Sequence, residues 1–404
     1  MAGGRWFPAT QFVSVVTMKP FALGHAAGDD WAAVVESCLR DLGQGPFGDG
    51  LGFVYATDQL AGHLANIVQG LRDGTGVEHW VGCLGMGITA GGEEYFDRPA
   101  LAAMVAPFDA SAYRIIPTMT EGADQLSADD RTWIAQKEPI LGLDHGDPTH
   151  PRIIELIENV ADDTARFLVG GLTSSRGPHP QVARGVTGGV TGGVTGGITD
   201  SVTSGGVSGV LFTPEIDVMT GLSQGCVPLA GSHVISDCID NVLVGLDGRP
   251  ALDVFKDDLG DHMTRDLGGL AGVVHAAITV EGSDTGDYMV RNLVGIDPAK
   301  GWLAIGDVVR PGERIVFVRR DPETAEIDLV AMLEKLKRRA ATPPRGGVYV
   351  SCVARGPHMF GAVGRESAII QATLGDVPVV GFYANGEISN NRLYTYTGVL
   401  TLFL

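Results

Sequence analysis

The sequence predicts a mixed α/β (α+β) protein of two domains, each a mixed β-sheet covered by helices. Short β-branched apolar runs alternate with segments whose apolar residues recur at helical spacing through most of the chain. The 404 residues exceed the roughly 250–300 at which a single core usually divides. A hydrophobic share of 44% against 19% charged residues belongs to a folded chain and excludes broad disorder.

The elements follow in order. An apolar run at 12–18 is the first expected strand. Asp29 and Asp30 then cap a helix with Trp31, Val34, Val35, Cys38, Leu39 and Leu42 on one face. A strand at 52–57 leads to a helix around 60–71, and strands are expected at 80–84, 100–107 and 113–117. Pro151 opens a helix in the position where proline is tolerated, with Ile153, Ile154, Leu156, Ile157 and Val160 on its apolar side, and a strand follows at 167–172. A polar stretch, TPEIDVMTGLSQ (213–224), marks the boundary between domains expected at 1–213 and 221–404. Beyond it come strands at 232–235 and 241–246 and a helix after Pro250. A meander follows at 272–280, 289–295, 302–305 and 314–318, with a turn in DPAKGW. An amphipathic helix covers 322–340; its KLKRR end complements the helix dipole and does not form a binding patch. Strands at 347–354 and 377–383 flank a helix at 360–374, and a strand at 394–403 ends the chain.

Composition and motifs exclude several function classes. A formal charge of -19 repels phosphate backbones, so nucleic acid is not an expected partner. The five cysteines are scattered and never in C-x-x-C pairs, which argues against zinc or disulfides and for a reducing cytoplasm. No stretch is long and apolar enough to span a bilayer, and no signal-peptide pattern opens the chain. Gly-Lys occurs nowhere, so the glycine-rich RGVTGGVTGGVTGGITDSVTSGG (184–206) is no phosphate loop. Its valine–threonine repeat, taken as an insertion at 185–204, is an expanded connection between the strands on either side. GLSQG (221–225) matches the nucleophile-elbow pattern but lacks a helix after Ser223. LDHGDPTH, with Asp144, His145, Asp147 and His150, reads as a turn and not a metal site. No metal or cofactor is expected.

Three C-terminal motifs, SCVARGPHMFG (351–361), VPVVGFYANGEI (377–388) and LYTYTGVLTLFL (393–404), resemble the C-terminal half of the FIST family of sensory proteins. QGCVPLAGSHVISDCIDNVLVGLDGRPALDV (224–254) looks like the start of that half. VGCLGMGITAGGE (81–93), LDHGDP and FLVGGLTSS (167–175) are similar to the N-terminal half. The chain departs from the family pattern at HVISDCIDN and in the valine–threonine block. The resemblance implies a signal-input module with two α/β halves that binds a small molecule such as an amino acid. Its output is then expected in a signalling partner acting in trans or in an oligomeric change.

Read for chemistry, Arg355 follows a strand end and precedes Gly-Pro, so a guanidinium there can hold a carboxylate through two parallel hydrogen bonds. Asn385 and Glu387 follow another strand and supply an amide and an anion for an ammonium group, a combination that suits an amino acid zwitterion. Arg355, Glu387 and Glu366 pairing among themselves is the structural alternative. Cys352 and Cys226 join the candidate ligand set; a thiol in an apolar strand packs as a small hydrophobe unless a cation lowers its pKa. The expected function is small-molecule sensing (an amino acid or similar small acid) without catalysis. A cysteine-dependent enzyme using Cys352 or Cys226, or a scaffold for a partner protein, is the alternative.

Overall fold

The computed structural model describes residues 19–45, 47–184, 202–263, 270, 272–280 and 287–404. The strand expected at 12–18 and all of the valine–threonine repeat up to residue 201 lie outside the described residues.

The described strands fall into four sheets, three of which are built to one plan. The first repeat runs β1 (Ala22–Ala27), α1 (Trp31–Leu42), β2 (Leu51–Thr57), α2 (Leu64–Thr75), β3 (His79–Gly85), β4 (Gly87–Ala90), β5 (Glu93–Phe96) and β6 (Ala100–Ala106). The second runs β7 (Tyr113–Met119), α3 (Ala128–Lys137), β8 (Leu141–Gly146), α4 (Ile153–Thr164), β9 (Phe167–Leu172), β10 (Gln181–Arg184), β11 (Val202–Thr203) and β12 (Val207–Phe212). The third starts with β13 (Val218–Gln224) and then takes in an inserted barrel. The barrel contains β14 (Cys226–Pro228), β15 (His233–Ile239), β16 (Val242–Leu246), β17 (Arg249–Pro250), α5 (Ala251–Met263), β18 (Val274–Thr279), β19 (Tyr288–Asp297), β20 (Trp302–Ile305) and β21 (Arg314–Arg320). The third repeat resumes with α6 (Pro322–Arg339), β22 (Gly346–Cys352), α7 (Pro357–Phe360), α8 (Arg365–Leu374), β23 (Val379–Ala384), β24 (Glu387–Ser389), β25 (Arg392–Tyr394) and β26 (Thr397–Phe403).

In each repeat an edge strand pairs with the last strand, which pairs with the first of two parallel strands: β1-β6-β2-β3, β7-β12-β8-β9 and β13-β26-β22-β23. The hairpin that leaves the second parallel strand never joins its own sheet. β4–β5 extends the third sheet beside β23, β24–β25 extends the second beside β9, and β10–β11 extends the first beside β3. The exchange closes a cycle of three. The inner faces of all three sheets share one core that includes Phe53, Tyr55, Leu143, Val210, Val350, Phe382 and Phe403. Helices cover the outer faces: α1 and α2 on the first sheet, α3 and α4 on the second, α6 and α8 on the third.

One backbone constraint recurs at the same register. Val54, Asp144 and Tyr349 face Gly82, Gly170 and Gly381 across the parallel pairs. A Cβ on these glycines would lie 1.7, 1.9 and 1.7 Å from the carbonyl oxygens of Val54, Asp144 and Tyr349. No side chain fits there.

The chain enters and leaves the barrel through neighbouring residues, the Asp321 N–H donating to Gly225 O at 3.2 Å. Strands β18 and β21 pair and close it, and Leu252 and Phe255 of α5 fill its interior with Leu243, Leu303 and Phe317. Capping follows residue chemistry. The Asp30 side chain accepts from Ala32 N–H, and Ser127 with Asp130 forms a capping box on α3. Asp321 accepts from Thr324 N–H on α6, which has proline in its first turn.

Three expectations change. The polar stretch at 218–224 is a strand, because its partner β26 supplies the hydrogen bonds that its composition leaves undecided. The helix expected at 360–374 is two helices, interrupted where Gly361 and Gly364 take positive φ. The strands β9 and β12 on either side of the valine–threonine block are not neighbours, since β8 lies between them. The block instead leaves from β10 and returns through β11, which pair with each other. Its base is tied to the second repeat by the Asp147 carboxylate, which accepts from Gly205 N–H at 2.9 Å.

Gly381→Ala is expected to destabilise the protein by about 3 kcal/mol or more, because two backbones must separate. Ser389→Ala, in an exchanged hairpin but without that contact, is the comparison in denaturant titrations followed by circular dichroism.

Candidate functional site

The third repeat gathers buried polar groups at the carboxyl end of its parallel strands. After Cys352 the chain turns back, the Arg355 N–H donating to Cys352 O at 2.8 Å and Gly356 adopting φ 53° against the Tyr383 ring. This turn carries Arg355 inward and not into solvent, leaving its side chain 0% exposed. Its Nε donates to Glu366 Oε1 at 2.8 Å. Tyr349 Oη and Ser351 Oγ donate to the same carboxylate at 2.7 and 3.0 Å, and Gly356 N–H donates to its other oxygen at 3.1 Å. Glu366 is therefore saturated. Removing one partner of such a buried pair costs about 3–5 kcal/mol.

Arg355 is not saturated. Its Nη2 reaches Ser223 Oγ only at 3.4 Å, and its buried Nη1 finds no acceptor among the described residues. The guanidinium lies 5.1 Å from the Phe360 ring centroid. Burial alone would lower its pKa; Tyr349 and Glu366 outweigh that and hold it above the usual arginine range. The charge is permanent.

Glu387 lies in the exchanged hairpin, opposite Gly171. Its Oε2 accepts from Thr397 N–H and Oγ1 at 3.1 and 2.8 Å, while the buried Oε1 accepts from no N–H or O–H among the described residues and the Cys352 thiol lies beside the carboxyl. Burial pushes its pKa up to about 8, against the opposing pull of Thr397, Cys352 and Arg355. Gln181 occupies the same register position of its own hairpin, opposite Cys83, and bridges Gly206 O and Ser208 Oγ. A protonated Glu387 thus does what a neutral glutamine does in the second repeat: it ties the hairpin to its own last strand.

Cys352 ends β22 beside Glu387, and Cys226 starts β14 within electrostatic reach of Arg320 and Arg355. Burial pushes the Cys226 thiol up to about 12, and burial with the Glu387 carboxyl pushes Cys352 up as well. Four of the five expected ligand residues, Arg355, Glu387, Cys352 and Cys226, therefore share one electrostatic neighbourhood. The fifth, Asn385, is exposed at the end of β23, where its N–H donates to Leu172 O.

Sequence reasoning missed other members of the cluster. Ser223 is fully buried on β13, and Asp328 of α6 accepts from Gln224 N–H at 2.6 Å, with burial pushing its pKa up. Tyr396 has φ 64°, rare for an aromatic residue, and donates to Asn292 of the barrel at 2.7 Å. In the sequence Ser223 is set aside as a nucleophile, and VMTGLSQ has no strand period that would place it in a buried strand.

In LDHGDPTH, Asp144 and His145 lie on β8, Asp147 accepts from the N–H groups of Thr149 and Gly205, and the His150 ring meets Thr120 O. His145 points into the central core, 3.1 Å from Tyr55 Oη, and burial lowers it to about 3. The adjacent Asp144 is raised by burial to about 8. No cluster of three or more metal-ligating side chains occurs among the described residues, and none of the described helices is long and apolar enough to cross a membrane.

Comparison with known families settles which proteins share this architecture. The FIST N domain matches residues 50–249 and the FIST C domain residues 251–390. The chain belongs to the FIST family. FIST domains are sensory domains of signal transduction that bind small ligands. The chain is 29% identical over 337 residues to the uncharacterized protein Rv0628c of Mycobacterium tuberculosis (strain H37Rv), covering 80% of this chain and 83% of that protein. It is 28% identical over 338 residues to the uncharacterized protein Mb0898c of Mycobacterium bovis, covering 80% and 82%. The junction between the two FIST matches falls at Pro250, inside the barrel and between β17 and α5.

Two outcomes follow. Glu387 is raised from 4.5 unfolded to about 8 folded, so its contribution is full below the lower value and lost as pH rises to the upper one. Glu387→Gln should therefore gain stability over the wild type, on the order of a few kcal/mol, between about pH 5 and pH 8.5 in melts across pH. Cys226 and Cys352 should alkylate at neutral pH far more slowly than the half-buried Cys238, read by intact-mass labelling.

Proposed function

We propose that this FIST protein is a sensor for an amino acid or similar small acid, an input module without catalysis of its own. Arg355 is the residue that recognises the carboxylate. The observation that carries this reading is a permanently charged, fully buried guanidinium whose Nη1 has no acceptor among the described residues. Leaving such a group unpaired costs stability, and proteins retain that cost mainly where a ligand is to be met. Glu387, Cys352 and Cys226 line the same region, and Asn385 stands at its solvent side. With Glu387 protonated near neutral pH, that carboxyl adds no negative charge against an incoming acid. Membership of a sensory family supports the same conclusion, and five free cysteines suit a reducing cytoplasm. The signal passes to a partner protein. Raised thiol pKa values at Cys226 and Cys352 weigh against a cysteine enzyme, whose nucleophile needs a lowered one.

A thermal-shift screen with free amino acids and small carboxylates tests this. A ligand present at about 100 times its Kd stabilises by roughly 2.7 kcal/mol, a readable rise in Tm. Arg355→Ala should abolish the rise, but it strands Glu366, so Arg355→Ala/Glu366→Gln is the variant that keeps the fold testable. An unchanged rise in the double variant, or no rise with any compound in the wild type, rejects the proposal.

A further inference from the structure

We propose that Arg320, on the last barrel strand, is the second guanidinium of the ligand site, so that one small carboxylate bridges it to Arg355 and couples the barrel to the third repeat. The inference rests on the carboxylate-sensing reading above and adds to it the barrel's part in binding.

The geometry comes from strand pairing. Arg320 lies opposite Cys226 in the β14–β21 register, and a Cβ at the preceding Gly225 would stand 3.4 Å from Arg355 Nη1. The two cations therefore flank the start of β14, and both pull on the Cys226 thiol. Each guanidinium packs on an aromatic ring, Arg355 on Phe360 at 5.1 Å and Arg320 on Tyr396 at 5.3 Å. Arg320 Nη2 donates to Ala354 O, next to Arg355. Its buried Nε has no acceptor, just as Arg355 Nη1 has none, and no carboxylate stands within ion-pair distance of Arg320 among the described residues.

Scarcity of carboxylates does not explain this. The chain has 48 acidic residues against 29 basic ones, and neighbouring Arg319 pairs with Asp321. A fully buried guanidinium and a half-buried one on either side of Cys226, each with a buried N–H that finds no acceptor among the described residues, offer donors for an oxyanion.

The place of the pair gives binding a mechanical consequence. Arg320 stands at the exit of the inserted barrel and Arg355 in the third repeat. Hydrogen bonds across the seam between them include Tyr396 to Asn292 at 2.7 Å, Thr395 Oγ1 to Val290 O at 2.7 Å, Gln224 Nε2 to Tyr288 O at 2.8 Å and Arg291 Nη2 to Leu393 O at 3.2 Å. A carboxylate bound to both arginines adds a charge-assisted link across that seam.

The test uses the full chain with glycine, L-alanine, L-glutamate, acetate, succinate and inorganic phosphate as probes. Arg320→Gln is compared with Arg319→Gln. In the ligand-free protein Arg320→Gln should keep or raise Tm, since it removes a guanidinium whose buried Nε has no acceptor among the described residues. It should weaken binding of the stabilising amino acid or organic acid about tenfold or more, with Arg319→Gln unchanged. That probe should also slow hydrogen exchange in residues 288–297 and 314–320 of the wild type. A fall in ligand-free Tm of several degrees on Arg320→Gln would make Arg320 a structural residue and overturn the inference. Wild-type affinity in Arg320→Gln, with binding lost in Arg355→Ala/Glu366→Gln, overturns it while leaving the proposed function standing. Stabilisation by phosphate alone overturns the carboxylate assignment. No response to any probe rejects both.

Discussion

The exchange of hairpins among the three repeats is the constraint on which the rest of the molecule depends. Without β4–β5, β10–β11 and β24–β25 in their places, β23, β3 and β9 would each be an open edge with a row of unpaired backbone groups. Each repeat therefore completes another, and the shared core beneath the three sheets forms only when all are present. The hairpins are fastened by side chains as well as by ladders. Glu94 of β5 accepts from Gly364 and Ser367 N–H at the start of α8, Gln181 ties down β10, and Glu387 ties down β24.

This arrangement explains why the candidate site is buried and why it is charged. Arg355 and Glu366 belong to the third repeat alone, and their hydrogen bonds fix the loop after β22. Glu387 belongs to the third repeat in sequence but to the second sheet in space. Thr397, its partner, starts the strand that follows Tyr396, and Tyr396 rests on the barrel. The groups around Arg355 are therefore held by two sheets and an inserted barrel. Small displacements there can be felt in all three, since packed interfaces shift between discrete arrangements instead of deforming smoothly.

Much of the fold was legible in the sequence. The mixed class, the capped helices α1 and α6, the helix α4, the strands β22, β23 and β26 and the meander of the barrel all follow from periodicity and capping residues. Strand β13 and the short hairpin strands were not, because two to seven residues of mixed polarity have no period strong enough to decide against a loop. The threefold plan was hidden for a different reason. Equivalent positions carry Val54, Asp144 and Tyr349, which have no chemistry in common, or Ile88, Gln181 and Glu387, of which only the last two are alike; the glycine in HWVGCLG, FLVGGL and VVGFYA repeats.

Composition and spacing by themselves determined the class of the protein, its net negative charge, the absence of a phosphate-loop motif, and the residue types of the candidate site. These depend on local pattern or on net charge, and both are properties of the chain. Which residues meet was decided by tertiary structure. The neighbouring Tyr349 and Glu366 decided that Arg355 keeps its charge against burial, burial decided that Glu387 holds a proton to about pH 8 and that two thiols lie high, and the end of β23 leaves Asn385 in solvent. Strand register decided that Arg320 faces Cys226, 94 residues away along the chain. Desolvation and long-range pairing have no local signature, because each is set by neighbours that the fold alone supplies.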